Sequence, residues 1–142
     1  MCKHTPATIT PSVLAVVFLL VLTASLASAG PNSLQEENHW MDLGRRCTDL
    51  FFSAAMDELY GLFDETMKGA MNEDQLQQFL NQVVTQLGDE KERLEEKTSA
   101  ADEYQVYERI STYANSGDTQ IVVRWAFDSN SQVSGFFIQP VQ

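Results

Sequence analysis

Residues Tyr104–Gln139 read YQVYERISTYANSGDTQIVVRWAFDSNSQVSGFFIQ. Three runs rich in β-branched and aromatic residues are separated by two clusters of turn formers, Ala114-Asn115-Ser116-Gly117-Asp118 and Asp128-Ser129-Asn130-Ser131. Such runs joined by short loops predict an antiparallel meander. In the middle run Thr119, Ile121, Val123, Trp125 and Phe127 fall on one side, and Gln120, Val122, Arg124, Ala126 and Asp128 on the other. A strand with one strongly apolar side is half-buried in a definite register. Its neighbours are less clean. Tyr104, Val106, Glu108, Ile110 and Thr112 share one side of the first run; Gln105, Tyr107, Arg109, Ser111 and Tyr113 share the other. In the last run Phe136 and Ile138 share a side and Phe137 is opposite. Both faces carry apolar groups, so the sheet is expected to curve.

Upstream of this sheet the pattern is helical and acidic. Leu43, Cys47, Leu50, Phe51 and Ala54 recur at helical spacing from about Trp40 onward. Ser53–Met71 continues with a stripe of Met56, Leu59, Tyr60, Phe63 and Met67, and a break is expected near Ser53–Asp57. The clearest element follows. Asn72 is a good N-cap, Gln75 stands in the capping-box position, and Glu73 and Asp74 favour the positive end of a helix dipole. Leu76, Phe79, Leu80, Val83, Val84 and Leu87 form one apolar stripe, which Gly88 closes. Residues 94–98 fit either a short first strand or, by the helix propensity of their charged neighbours, a helix. The fold class predicted is α+β, with two or three N-terminal helices on a curved antiparallel sheet of three to four strands.

The chain opens with a targeting pattern. Lys3 and His4 precede an unbroken apolar run, Val13–Leu22, and Ala27-Ser28-Ala29 supplies the small residues of a cleavage site. Cleavage between Ala29 and Gly30 and export, to the periplasm or the outside, are expected. The run falls short of the ~20 residues a membrane span needs; an uncleaved anchor is the alternative. Residues 30–38 are polar and read as a flexible entry, leaving 39–142 as one α+β domain.

Without residues 1–29 the chain holds 8 basic and 20 acidic groups, a net charge of −12. That balance excludes nucleic acid and anionic membrane surfaces, which need clustered Lys and Arg. Cys2 leaves with the signal, so Cys47 is alone, either buried or paired between chains.

The order of elements resembles a known family. Asp57-Glu58-Leu59-Tyr60-Gly61-Leu62-Phe63, Met67, Asn72 to Leu76, Gly88, Phe127-Asp128, Gly135-Phe136-Phe137 and Pro140 look like the bacterial domain of unknown function 3887, within the cone-shaped nuclear transport factor 2-like superfamily. That domain is often found in exported proteins and beside α/β-hydrolase domains. The resemblance implies a strand directly after the Gly88 helix, which favours the strand reading of 94–98. It spans nearly all of the mature chain, and its motifs are packing and turn signatures.

Chemistry is sparse. No His/Cys/Asp/Glu set has zinc spacing, and no phosphate loop, nucleophile elbow or cofactor signature is present. His39 and Cys47 lie eight positions apart with no second pair. Asp89-Glu90, Glu95-Glu96 and Asp102-Glu103 lack calcium-loop alternation and read as solvated charge. Glu108 stands out. If its side of the strand lines the space under the helices, burial would raise its pKa. It could then serve as a base, with Tyr104 as oxyanion donor, in the manner of the isomerases found on cone-shaped folds. The plainer reading pairs Glu108 with Arg124 on the adjacent strand. Trp125, Phe127, Phe136 and Tyr104 would line a ligand cavity in a hollow cone and form core in a filled one. The expected function is a non-catalytic binding or interaction module. It would take a small apolar ligand, a second copy of itself or another exported protein; the small enzyme using Glu108 is the alternative.

Overall fold

A computed structural model describes residues 31–141 of the chain. The expected signal segment and its cleavage point at Ala29 and Gly30 lie outside the described residues. Four helices, α1 (Pro31–Phe52), α2 (Met56–Gly61), α3 (Glu65–Ala70) and α4 (Glu73–Leu87), precede four strands, β1 (Glu90–Ala101), β2 (Tyr104–Tyr113), β3 (Ile121–Phe127) and β4 (Val133–Pro140). The strands form one antiparallel sheet in the order β1-β2-β3-β4. Among the described residues no helix is long and apolar enough to cross a membrane.

α1 starts earlier than the apolar periodicity indicates. The polar entry expected over 30–38 is helical from Pro31 onward. Proline is favoured in a first turn, where its missing N–H costs nothing, and Gln35, Glu36 and Glu37 are good helix formers. The turns that follow are tied to the sheet. His39 Nε2 lies 2.9 Å from Ser131 Oγ, and the Trp40 ring stacks on Phe127. α1 ends within the expected break, where Ala54 adopts φ +57° and the Ala55 N–H donates to Leu50 O. Ala54 is exposed there instead of joining the apolar face.

The second helical stretch is divided. Phe63 pairs with Val133 as an isolated bridge, with Asp64 N–H donating to Val133 O and Val133 N–H to Leu62 O. Asp64 then restarts the helix by accepting from Met67 N–H at 2.7 Å. α4 forms as its local signals require. Asn72 Oδ1 accepts from Gln75 N–H and Gln75 Oε1 accepts from Asn72 N–H, while Gly88 ends the helix at φ +70°.

β1 is the main surprise in extent. It runs for 12 residues and absorbs Ser99–Ala101, leaving only Asp102-Glu103 as the hairpin loop. Asp102 takes φ +53°, a conformation Asp tolerates better than most residues. The core lies between the helices and one face of the sheet. Phe51, Leu59, Phe63, Leu76, Leu80, Tyr107, Val123, Trp125, Phe127 and Val133 are all fully buried in it.

Candidate functional site

The register of β2 on β3 decides which side chains share a face. Tyr107 is opposite Trp125, and Arg109 is opposite Val123, so the Tyr107 side of β2 faces the helices. The Glu108 side faces away from them. This reverses the orientation in which Glu108 would line an enclosed space.

The helix side is filled. Trp125 stacks on Phe136 at a centroid distance of 4.9 Å and meets Phe51 edge-on; Phe136 also contacts Phe63 and Phe79. The Trp125 Nε1–H donates to Thr48 Oγ1, whose hydroxyl donates to Gly44 O. Of the four aromatics expected around a ligand, Trp125, Phe127 and Phe136 are packed into this core. Tyr104 lies elsewhere, exposed at the start of β2.

Three ion-pair clusters lie on the sheet; the two on the helix side were not legible as such, whereas the third contains the Glu108–Arg124 pair expected across adjacent strands. On the helix side, Glu90 Oε1 accepts from Arg109 Nε at 2.8 Å and from Ser111 Oγ, and Glu90 Oε2 accepts from Arg109 Nη2. Glu96 accepts from Arg45 Nε and Nη2 and from the Tyr107 hydroxyl at 2.6 Å. Burial pushes the Glu96 carboxyl up, but the bonds from Arg45 and Tyr107 and the charge of Arg93 outweigh it and hold the pKa at about 2. The doublets Asp89-Glu90 and Glu95-Glu96, expected to be solvated, each place one carboxylate inward. Strand alternation is the signal that would have separated them, once the segment was known to be a strand.

The third cluster sits on the open face. Glu108 accepts from Arg124 Nε at 2.7 Å and also from Arg124 Nη2, and Lys97 Nζ lies 3.0 Å from Glu108 Oε1. Burial alone would raise the Glu108 pKa. Its hydrogen bonds with Lys97 and Arg124 prevail and lower it. A low-pKa carboxylate held by two cations is a poor proton acceptor at neutral pH. Val106 and Ala126 flank the Glu108–Arg124 pair on one side, and Ile110 and Val122 on the other. Arg124 lies over the Phe137 ring, 4.7 Å from its centroid, and Phe137 is 36% exposed. The helices pack on the opposite face through Phe51, Leu59, Leu76 and Leu80.

At the edge of the helix side a small cleft of about 110 Å³ opens between α1, the end of α4 and the start of β1. Thr48, Asp49, Phe52, Val84, Asp89 and Arg109 line it. The Arg109 side chain is 4% exposed, and its Nη1 has no hydrogen-bond partner; Asp49 Oδ1 lies 3.8 Å away. Among the described residues no group of His, Cys, Asp and Glu side chains is arranged to hold a metal ion.

This architecture is an α+β domain with helices on one face of a four-stranded antiparallel sheet. The chain belongs to the DUF3887 family of proteins of unknown function, whose model matches residues 46–136, from the second half of α1 to Phe136 in β4. No curated protein and no solved structure matches it.

Proposed function

We propose that the protein is an exported, non-catalytic interaction module that pairs with a second copy of itself through the open face of the sheet. The observation that carries this reading is the composition of that face. Val106, Ile110 and Ala126 lie partly exposed around a charge-paired centre, Val122 is buried among them, and Phe137 is exposed beside it. Over most of its surface a chain of net charge −11 repels a like chain. On this face Lys97 and Arg124 offset Glu95 and Glu108, so two copies can approach with their apolar strips in contact. A two-fold contact needs a self-complementary patch, and a patch holding both signs meets that condition. The packed interior favours this form of the reading over one with an apolar ligand in the cone. In the same reading the domain is a variant of the nuclear transport factor 2-like arrangement, on the strength of its helices-then-sheet order. The leader at residues 1–29 directs export.

Light scattering on the protein recovered after export tests both parts. The expected mass is that of a dimer, with Gly30 as the N-terminal residue. Phe137→Glu and Ile110→Glu should each give monomers with unchanged circular dichroism. A monomer for the unaltered protein at concentrations of about 100 μM, far above the Kd of a stable dimer, would sink the pairing reading.

A further inference from the structure

We propose that the notch between the first turns of α1 and the β3–β4 turn is a binding site for a neutral sugar ring. It lies at the end of the sheet and does not rest on pairing through the open face. The stripe of α1 that faces the fold changes character at Trp40. Downstream, Leu43 and Cys47 pack in the core. Upstream, α1 runs on past the core with its side chains exposed, and the stripe becomes Asn32, Gln35, Glu36 and His39. These four, with Trp40 and Ser131, line a notch of about 440 Å³. That volume falls within the ~300–1,000 Å³ of small-ligand sites. Its parts are fixed in place. The Trp40 ring stacks on Phe127 at a centroid distance of 6.0 Å, and the His39 ring meets Trp40 at 4.7 Å and 69°. His39 is held in turn by Ser131 Oγ, and the Ser131 N–H donates to Asp128 O. A site whose rings are already positioned loses little freedom when a ligand enters.

The lining selects the ligand by chemistry. No Lys or Arg lines the notch and Glu36 does, so an anion is repelled. Trp40 is the one apolar side chain in the lining, so a wholly apolar ligand would strip water from polar groups and replace none of it. A quaternary ammonium could sit against Trp40 and Glu36, but it makes no hydrogen bonds and leaves Asn32, Gln35 and Ser131 unused. What fits is neutral, with one flat apolar patch and a rim of groups that both donate and accept. A pyranose has that form: its C–H face lies on an indole ring, and its hydroxyls reach outward around it. The amides of Asn32 and Gln35 donate and accept, and the Glu36 carboxylate accepts. Asn32 and Glu36 are one helical turn apart, about 6 Å along the axis, which spans the hydroxyls across a single sugar ring.

The test titrates the isotopically labelled protein, recovered after export, with the methyl glycosides of glucose, galactose and mannose. Glucuronate and choline serve as the anionic and cationic comparisons. At least one neutral glycoside should produce saturable NMR shifts at the Trp40 indole N–H and at the side-chain amides of Asn32 and Gln35, with a Kd in the millimolar range, ~1–10 mM. The Trp125 indole N–H, buried on Thr48, should stay in place. Gln35→Ala and Glu36→Ala, both on the exposed part of α1, should each weaken binding about tenfold, the effect of one lost hydrogen bond. Trp40→Ala should abolish it in a protein whose circular dichroism is unchanged; if that variant fails to fold, the two exposed variants still decide. Shifts that never saturate for any of the three glycosides, that glucuronate or choline reproduces, or that persist undiminished in Gln35→Ala and Glu36→Ala would overturn the proposal.

Discussion

Gly44 on α1 lies directly against the ring of Tyr107 on β2: a Cβ at position 44 would sit 2.0 Å from Tyr107 Cγ. The helix is held at that distance by the next residue. Arg45 bonds to Glu96, and Glu96 also accepts from the Tyr107 hydroxyl, so one carboxylate joins helix, edge strand and central strand. Thr48, one turn on, receives Trp125 Nε1–H. Close approach and polar clamp therefore depend on each other. Replacing Gly44 by Ala must push α1 outward and stretch the Arg45–Glu96 and Trp125–Thr48 contacts. We expect Gly44→Ala to cost about 3 kcal/mol, the upper part of the range for overpacking, despite the better helix propensity of Ala. Urea denaturation of the two proteins measures it. A stability equal to or above that of the unaltered protein would show that the helix docks elsewhere.

Glu96 gives the fold a pH dependence of definite sign. Its carboxyl, ordinarily near 4.5, is held at about 2 in the folded chain. A depressed carboxylate binds fewer protons folded than unfolded, so its contribution is full above about 4.5 and is lost as the pH falls toward 2. The linkage amounts to about 3 kcal/mol. Glu90 and Glu108, also lowered, act in the same direction. Urea midpoints should fall steadily from pH 5 to pH 2.5, and Glu96→Gln should remove a large part of that slope while Glu65→Gln, an exposed control, leaves it intact. An unchanged slope in Glu96→Gln would mean that the carboxylate is not clamped in solution.

What could be read from the chain beforehand follows the range of the forces involved. α4 was legible because its cap, its dipole and its stripe are all local: Asn72, Gln75 and Gly88 act within a few residues of themselves. β1 was not legible from its own residues, because Glu90 to Lys97 are good helix formers and the strand is imposed from outside; only the family resemblance favoured the strand over 94–98 that lies within it. Glu90 and Glu96 turn inward to cations on β2 and α1, while Lys97 turns outward to Glu108. The four aromatics proposed as a cage were visible as residues, and three of them as core. The face of Glu108 was not visible, since both sides of β2 carry aromatic, apolar and charged groups. Only the register with β3, where Tyr107 meets Trp125, settles it. The Arg109 cleft escaped for the same reason: Glu90 and Arg109 are 19 residues apart and meet only through pairing of the strands.

Cys47 should be chemically silent in the folded protein. It is fully buried, and burial pushes its thiol up to about 12, with Arg46 offsetting this slightly. The thiolate is the reactive form, so neither disulfide exchange nor alkylation should proceed at pH 8 without unfolding. With a thiolate fraction of about 10⁻⁴ at pH 8, a chromogenic disulfide reagent should react with the native protein at least a hundredfold more slowly than with the denatured protein, which should release a full equivalent at once. A disulfide-linked dimer on a non-reducing gel would contradict the buried position, and would separate covalent pairing from the face-to-face pairing proposed above.

Glu108 is the residue whose titration bears on more than stability. Burial acts to raise its pKa, and the hydrogen bonds with Lys97 and Arg124 lower it overall. Carbon-detected NMR should therefore place its midpoint below the ordinary 4.5, and Lys97→Gln and Arg124→Gln should each move it upward. The pair also lies at the centre of the proposed contact between copies, flanked by Ile110–Val122 and Val106–Ala126. If two copies close over it, water leaves and the unpaired partner of a single substitution becomes more costly. Arg124→Gln should then weaken dimerisation at least tenfold, a loss of about 1.4 kcal/mol, while Arg46→Gln, on an exposed side of α1, leaves it unchanged. A midpoint above 4.5 in the unaltered protein would instead revive Glu108 as a proton acceptor.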